Sequence, residues 1–182
     1  MSGDHPHAAF IVAMAIGAIA GWLDWRKGII PNWLTLPALV AGPLFHASRA
    51  LIAKQGAQVA LSEGLTAVGG AALCGIVPLL LFRQGAMGGG DVKLLVALGA
   101  WLNPVVGIEA EMYGFFAAAL LAPARLAYEG KLLATLKNAA VIGTNLFLPA
   151  AKQRSIDATV LSWFRLGPAV ALGVALACYL HW

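Results

Sequence analysis

The sequence predicts an all-α integral membrane protein of about six transmembrane helices, with the N-terminus outside and an aspartate pair at the cytoplasmic membrane face. Three observations carry this expectation. Of 182 residues, 60% are hydrophobic and only 11% charged, against about 25% charged in an ordinary soluble domain, and the mean hydropathy is +0.81. Most of the chain falls into six charge-poor runs, close to the roughly 20 apolar residues a helix needs to cross a bilayer core. The basic residues are shared very unequally between the connections. Residues 1–182 therefore read as a single polytopic membrane domain, with no room for a separate soluble one.

The runs follow in order. Residues 8–23 lack a basic region ahead of them and a small-residue cleavage site, so they read as a retained helix and not a signal peptide. Residues 33–53, with Arg49 near their end, form the second run, and 65–82, 94–108, 112–128 and 166–182 the others. Residues 138–151 are apolar too, but short, with Lys131 and Lys137 before them and Lys152 and Arg154 after. That is the pattern of a segment lying on the membrane surface, within a cytoplasmic connection over 129–165. Basic residues near span ends stay on the cytoplasmic side. Six spans with the N-terminus outside put ten of the 12 Lys and Arg inside, leaving only Arg49 and Lys54 outside. Glu109 and Glu111, with no basic neighbour, then form an external turn between the fourth and fifth spans. Trp22, Trp25, Trp33 and Trp182 fall near span ends, where indoles anchor at the interface.

Composition also excludes. Cys74 and Cys178 lie inside apolar runs with no second Cys or His at ligand spacing, which rules out a disulfide framework or a zinc ribbon. The net charge of +4 is spread without a basic run, so nucleic acid is not expected as a partner. Of the four His, His5 and His7 lie in the N-terminal tail, His46 near an external helix end and His181 beside the C-terminus, and they form no ligand cluster. Nothing in the sequence asks for a metal or a cofactor.

Eight carboxylates make the search for chemistry short. Asp4 belongs to the N-terminal tail, Glu63 precedes a helix where its charge suits the dipole, Glu109 and Glu111 belong to the external turn, and Glu129 and Asp157 to the long connection. Asp24 and Asp91 remain. One ends the first span and the other starts the fourth, so the topology sets them at the same depth although 67 residues separate them. Ionisable groups at the edge of the apolar zone are costly and often functional. Asp91 follows Gly88, Gly89 and Gly90, which permit unusual backbone conformations and close approach; it can equally be a plain N-cap of the fourth helix. Asp24 sits at a helix C-terminus, where the dipole disfavours negative charge, although Arg26 and Lys27 can compensate. Pro31 disfavours helix at Ile30, and Asn32 can cap the second helix. Lys93, two residues from Asp91, points to another face, toward a substrate carboxylate or lipid phosphate, or simply snorkels to the surface. The small residues Gly69, Gly70, Ala71, Ala72 and Gly75 suit close helix contacts, foremost with the protein's own neighbours.

Together these segments resemble a known family. Gly88-Gly89-Gly90-Asp91-Val92-Lys93-Leu94 is similar to the Gly-x-Gly-Asp signature of the prepilin peptidases, and Asp24 followed by Ile30-Pro31-Asn32 resembles their first aspartate segment. Gly167-Pro168-Ala169 and Gly173 resemble the Gly-Pro start of their last helix. The resemblance implies a multi-pass aspartic endopeptidase of the bacterial inner membrane that removes the cytoplasmic leader of type IV pilin precursors. Asp24 and Asp91 would be catalytic, with Gly88, Gly89, Gly90, Lys93, Pro31 and Asn32 shaping the site or binding substrate, and no metal. Larger members carry a cytoplasmic domain with paired Cys-x-x-Cys motifs linked to N-methylation. This chain has none, so it resembles the short form serving tight-adherence (Flp-type) pili, and methyl transfer is not expected. Its partners would be the pilin precursor and membrane lipid; no feature indicates an oligomeric state. In such a site two carboxylates cannot both ionise cheaply, so they hold one proton between them. The ionised one takes a proton from water and the other donates to the scissile carbonyl.

A different class of function is a small proton-coupled transporter using the same two aspartates. Transport carboxylates belong near the midplane, whereas both aspartates here fall at span ends. A non-catalytic pilus or secretion subunit would need no aspartate pair.

Overall fold

The computed structural model describes residues 6–128, 132–145 and 165–182. Their regular structure is helical: α1 (Pro6–Lys27), α2 (Asn32–Ile52), α3 (Ala57–Arg83), α4 (Gly89–Tyr128), α5 (Leu132–Asn145) and α6 (Gly167–Leu180). α1 runs without an internal proline and stops where Gly28 takes a left-handed φ of 68°, its N–H closing on the Asp24 carbonyl at 2.8 Å. This is the usual glycine stop of a helix. Pro31 (φ −77°, ψ 145°) turns the chain extended, and its carbonyl accepts the first N–H bonds of α2 from Leu34 and Thr35.

α4 is the centre of the bundle, packing against α1, α2, α3 and α6, while α1 also lies along α6 and α2 along α3. The buried cluster accordingly draws Phe10, Ala13 and Ile16 from α1, Leu94, Leu98 and Leu102 from α4, and Val170 and Val174 from α6. Small residues set the helix spacing: a Cβ on Gly42 of α2 would lie 2.7 Å from the Ala100 carbonyl of α4. Trp101 locks the same pair, its indole N–H donating to the Ala38 carbonyl at 2.8 Å, with His46 Nε2 3.1 Å from the Trp101 carbonyl. The exterior is as apolar as the interior. Leu65, Val68, Leu73, Ile76 and Leu80 of α3 are all exposed, a contiguous apolar surface that suits lipid and not water. Among the described residues, three helical stretches are long and apolar enough by length and composition to cross a membrane, His7–Lys27, Ala57–Arg83 and Gly89–Ala122, the last interrupted at Asn103, and Gly167–Leu180 is a shorter apolar helix.

Several boundaries differ from the sequence expectation. The reversal between the fourth and fifth runs is not at Glu109 and Glu111. It lies at Asn103, whose φ of 64° and ψ of 167° break α4. A Cβ on Gly107 would fall 3.2 Å from the Gly99 Cα, whereas eight residues of straight helix span about 12 Å, so 104–128 doubles back along 89–102. Pro104 is the physical cause, since proline lacks an N–H and disfavours helix in the residue before it. Glu111 is consequently inside the helix and 7% exposed. Glu109 pairs with His181 at 2.5 Å, beyond the end of α6. Glu63 is within α3, not ahead of it, because the helix begins at Ala57, before the apolar run. His46 is buried, not terminal. Of the small residues of α3, Gly70, Ala71 and Gly75 pack on the protein itself, Gly70 against the Gly99 carbonyl and Gly75 against the Val96 side chain, while Gly69 faces open space and Ala72 is exposed. α5 starts before the surface segment expected at 138–151, whose last six residues lie outside the described ones, as do Asp4, His5, Glu129 and Asp157.

Candidate active site

Asp24 occupies the final turns of α1 and is 6% exposed. A face of small residues on α1 allows α6 to come down onto it. A Cβ on Gly21 would lie 3.1 Å from the Gly167 carbonyl, and one on Gly17 3.6 Å from the Ala171 Cα. The first residue of α6 therefore meets the carboxylate, and the Gly167 N–H donates to Asp24 Oδ2 at 2.9 Å. That approach supplies the positive end of the α6 dipole where the C-terminus of α1 supplies a negative one. Just ahead of α6, the Arg165 guanidinium lies 3.8 Å from the position a Gly28 Cβ would take, and its charge acts on Asp24.

Asp91 lies in the first turn of α4. The Asp91 and Val92 N–H groups bond the Gly88 carbonyl at 3.1 and 3.3 Å, while the Asp91 carboxylate accepts the Gly88 N–H in return. The carboxylate thus supplies the returning half of a capping box, with Gly88 at the cap and Asp91 three residues in, so Asp91 is not itself the N-cap. The remaining glycines make room. A Cβ on Gly89 would stand 3.4 Å from the Phe82 ring, and one on Gly90 3.3 Å from the Ile30 Cβ. The Ile30-Pro31-Asn32 segment and the glycine turn are thereby in direct contact, and the charges of Asp24 and Asp91 act on each other.

Asn32 does not cap α2, since no side-chain hydrogen bond closes that end. Its Oδ1 instead accepts from Lys93 Nζ at 2.9 Å, a tie between the starts of α2 and α4. Lys93 thus has an internal partner that neither of its expected roles anticipated. Asp24, Asp91, Gly88, Gly89, Gly90, Pro31, Asn32 and Lys93 all come to one end of the bundle. Sequence reasoning missed the third arm, Arg165 and Gly167. Gly167-Pro168 was visible as a helix start, but nothing local told that its first N–H faces a carboxylate 143 residues earlier. Two carboxylates on separate helices whose charges interact, each accepting a backbone N–H, can share a proton and hold a water between them.

Comparison with known proteins gives a consistent set of relatives. Residues 11–124 match the family model described as the type IV leader peptidase family. A prepilin leader peptidase/N-methyltransferase of Neisseria gonorrhoeae is 29% identical over 121 residues, 64% of this chain and 39% of that protein. One of Aeromonas hydrophila is 33% identical over 113 residues, 60% of this chain and 38% of its own length. The leader peptidase HopD of Salmonella typhimurium is 35% identical over 83 residues, 46% of this chain and 52% of that protein. The chain thus spans about two fifths of the length of the first two. No solved structure matches.

Proposed function

We propose that this chain, which belongs to the type IV leader peptidase family, is an aspartic endopeptidase with Asp24 and Asp91 as its dyad. Its substrate is a type IV prepilin of the Flp type, cut at the cytoplasmic face of the bacterial inner membrane. The observation that supports this reading is that the charge of Asp24, on α1, acts on Asp91, on α4, beside the close approach of Ile30 to Gly90. The basic residues support the orientation, because the expected six-span topology assigns ten of the 12 to the connections on the side of the aspartates and basic connections stay cytoplasmic. A precursor with a basic leader is held on that side by the same rule, while its apolar helix packs among the spans.

The dyad needs neither metal nor covalent intermediate. The carboxylate withdraws a proton from water as the water attacks the scissile carbonyl, and the carboxylic acid protonates the carbonyl oxygen. The test is co-expression of a Flp-type pilin precursor with the wild-type chain, Asp24→Asn and Asp91→Asn, following the precursor's mass at equal membrane abundance. Wild type is expected to cleave, and each variant to lose at least about 100-fold in rate. Cleavage persisting in either variant removes that aspartate from the mechanism.

A further inference from the structure

Asp24 and Asp91 are chemically alike but differently surrounded. Asp91 takes one backbone N–H, from Gly88, and faces the negative charge of Asp24. Asp24 takes the Gly167 N–H and feels the Arg165 cation. The helix dipoles by themselves favour charge on Asp91, at the positive end of α4, since at Asp24 the negative end of α1 offsets the positive end of α6; the full positive charge of Arg165 opposes that partial one. Lys93 directs its ammonium to the Asn32 amide oxygen, and the charge that acts on Asp91 is that of Asp24. Among the described residues, Arg26 and Lys27 on the same helix end are further cations near Asp24, both exposed.

We propose that residues 165–167 make the pair asymmetric: Arg165, as a positioning residue, and the Gly167 N–H hold Asp24 as the carboxylate and leave the shared proton on Asp91. This rests on the reading of the two aspartates as the peptidase dyad, and it assigns their roles. Asp24 takes a proton from water, whose oxygen bonds to the scissile carbonyl carbon. The carbonyl π pair moves to its oxygen, which takes the proton of Asp91 and gives a neutral gem-diol. The C–N bond then breaks, the amine leaving with the proton from Asp24, while a gem-diol hydroxyl returns its proton to Asp91 as the new carboxyl group forms. Asp24 ends ionised and Asp91 protonated, as they began.

The experiment is the pH dependence of precursor cleavage by the full chain in lipid vesicles, for wild type, Arg165→Gln and Arg165→Lys, with thermal unfolding as the check on folding. Removing a positive charge beside Asp24 makes it easier to protonate, so activity is lost at higher pH as the solution is acidified. Arg165→Gln is expected to move the acidic limb upward by about one pH unit, and Arg165→Lys, which keeps the charge, by clearly less. A limb that stays at its wild-type position in Arg165→Gln overturns the inference even if the rate falls, because a merely structural role lowers the curve without displacing it. Equal displacement in Gln and Lys overturns it as well. If Asp24→Asn still cleaves, the proposed function and this inference fall together; if both Asn variants are inactive and only the limb fails to move, the inference alone is lost.

Discussion

A single methyl group decides whether α6 can dock on Asp24. A Cβ on Gly167 would come within 2.7 Å of the Asp24 Cβ and 2.9 Å of its Oδ2, so Gly167→Ala must displace either the carboxylate or the helix. Overpacking of this kind costs about 1–3 kcal/mol. The expected outcome is a lower thermal midpoint together with at least about a tenfold loss of precursor cleavage, since a misplacement of 1 Å is enough to cost far more than that. Unchanged cleavage would mean that the Gly167 N–H is dispensable. At this scale the two aspartates were legible as candidates because only eight carboxylates are present and these two fall at span ends on one side, although Glu63, Glu109 and Glu111, set aside as helix-start or turn residues, lie within helices. The partners of those aspartates were not. Arg165 and Gly167 reach Asp24 only through the packing of α1 on α6, and the Lys93–Asn32 bond only through the packing of α2 on α4. Local sequence rules describe a residue's neighbours along the chain, and these contacts bridge more than 60 positions.

Among the elements, α4 is the one where apolar runs misled. Counting uncharged residues set the turn at Glu109 and Glu111, the only charges available to mark it. The chain instead reverses at Asn103-Pro104, where the backbone rule about proline outweighs the charge pattern. The Asn103 geometry, φ 64° and ψ 167°, belongs to a region that glycine alone occupies freely and that costs other residues about 1–3 kcal/mol. Asn103→Gly is therefore expected to stabilise the protein by about 1 kcal/mol, and Asn103→Ala to bring no such gain, read from thermal unfolding in detergent. A glycine variant no more stable than wild type would indicate that the Asn103 side chain makes up the difference. The other helices were more readable. α1, α2 and α6 begin and end within a few residues of their apolar runs, while α3 extends past its run into polar sequence that composition alone does not reveal as helix.

Over the whole molecule, the interior is small and tightly spaced and the exterior is large and apolar, the reverse of a water-soluble domain. The candidate site occupies one end of this bundle, where Asp24, Asp91 and Asn32 gather, and the Glu109–His181 pair lies toward the other. The two cysteines are part of that tight interior, Cys74 at 1% and Cys178 at 0% exposure. Buried thiols of this kind are unreactive, so the native chain is already a silent background for thiol-labelling reagents. One reporter introduced at Ile29, which is 61% exposed beside the candidate site, and another at the exposed Gln55 beyond α2 leave every Lys and Arg in its place. In intact spheroplasts a membrane-impermeant maleimide is expected to modify Gln55→Cys and to reach Ile29→Cys only after permeabilisation. The opposite pattern would turn the whole bundle over and put the aspartates on the outer face. The same two burial figures that describe a packed core thus make the sidedness of the protein directly measurable, without removing a single native residue from its interior.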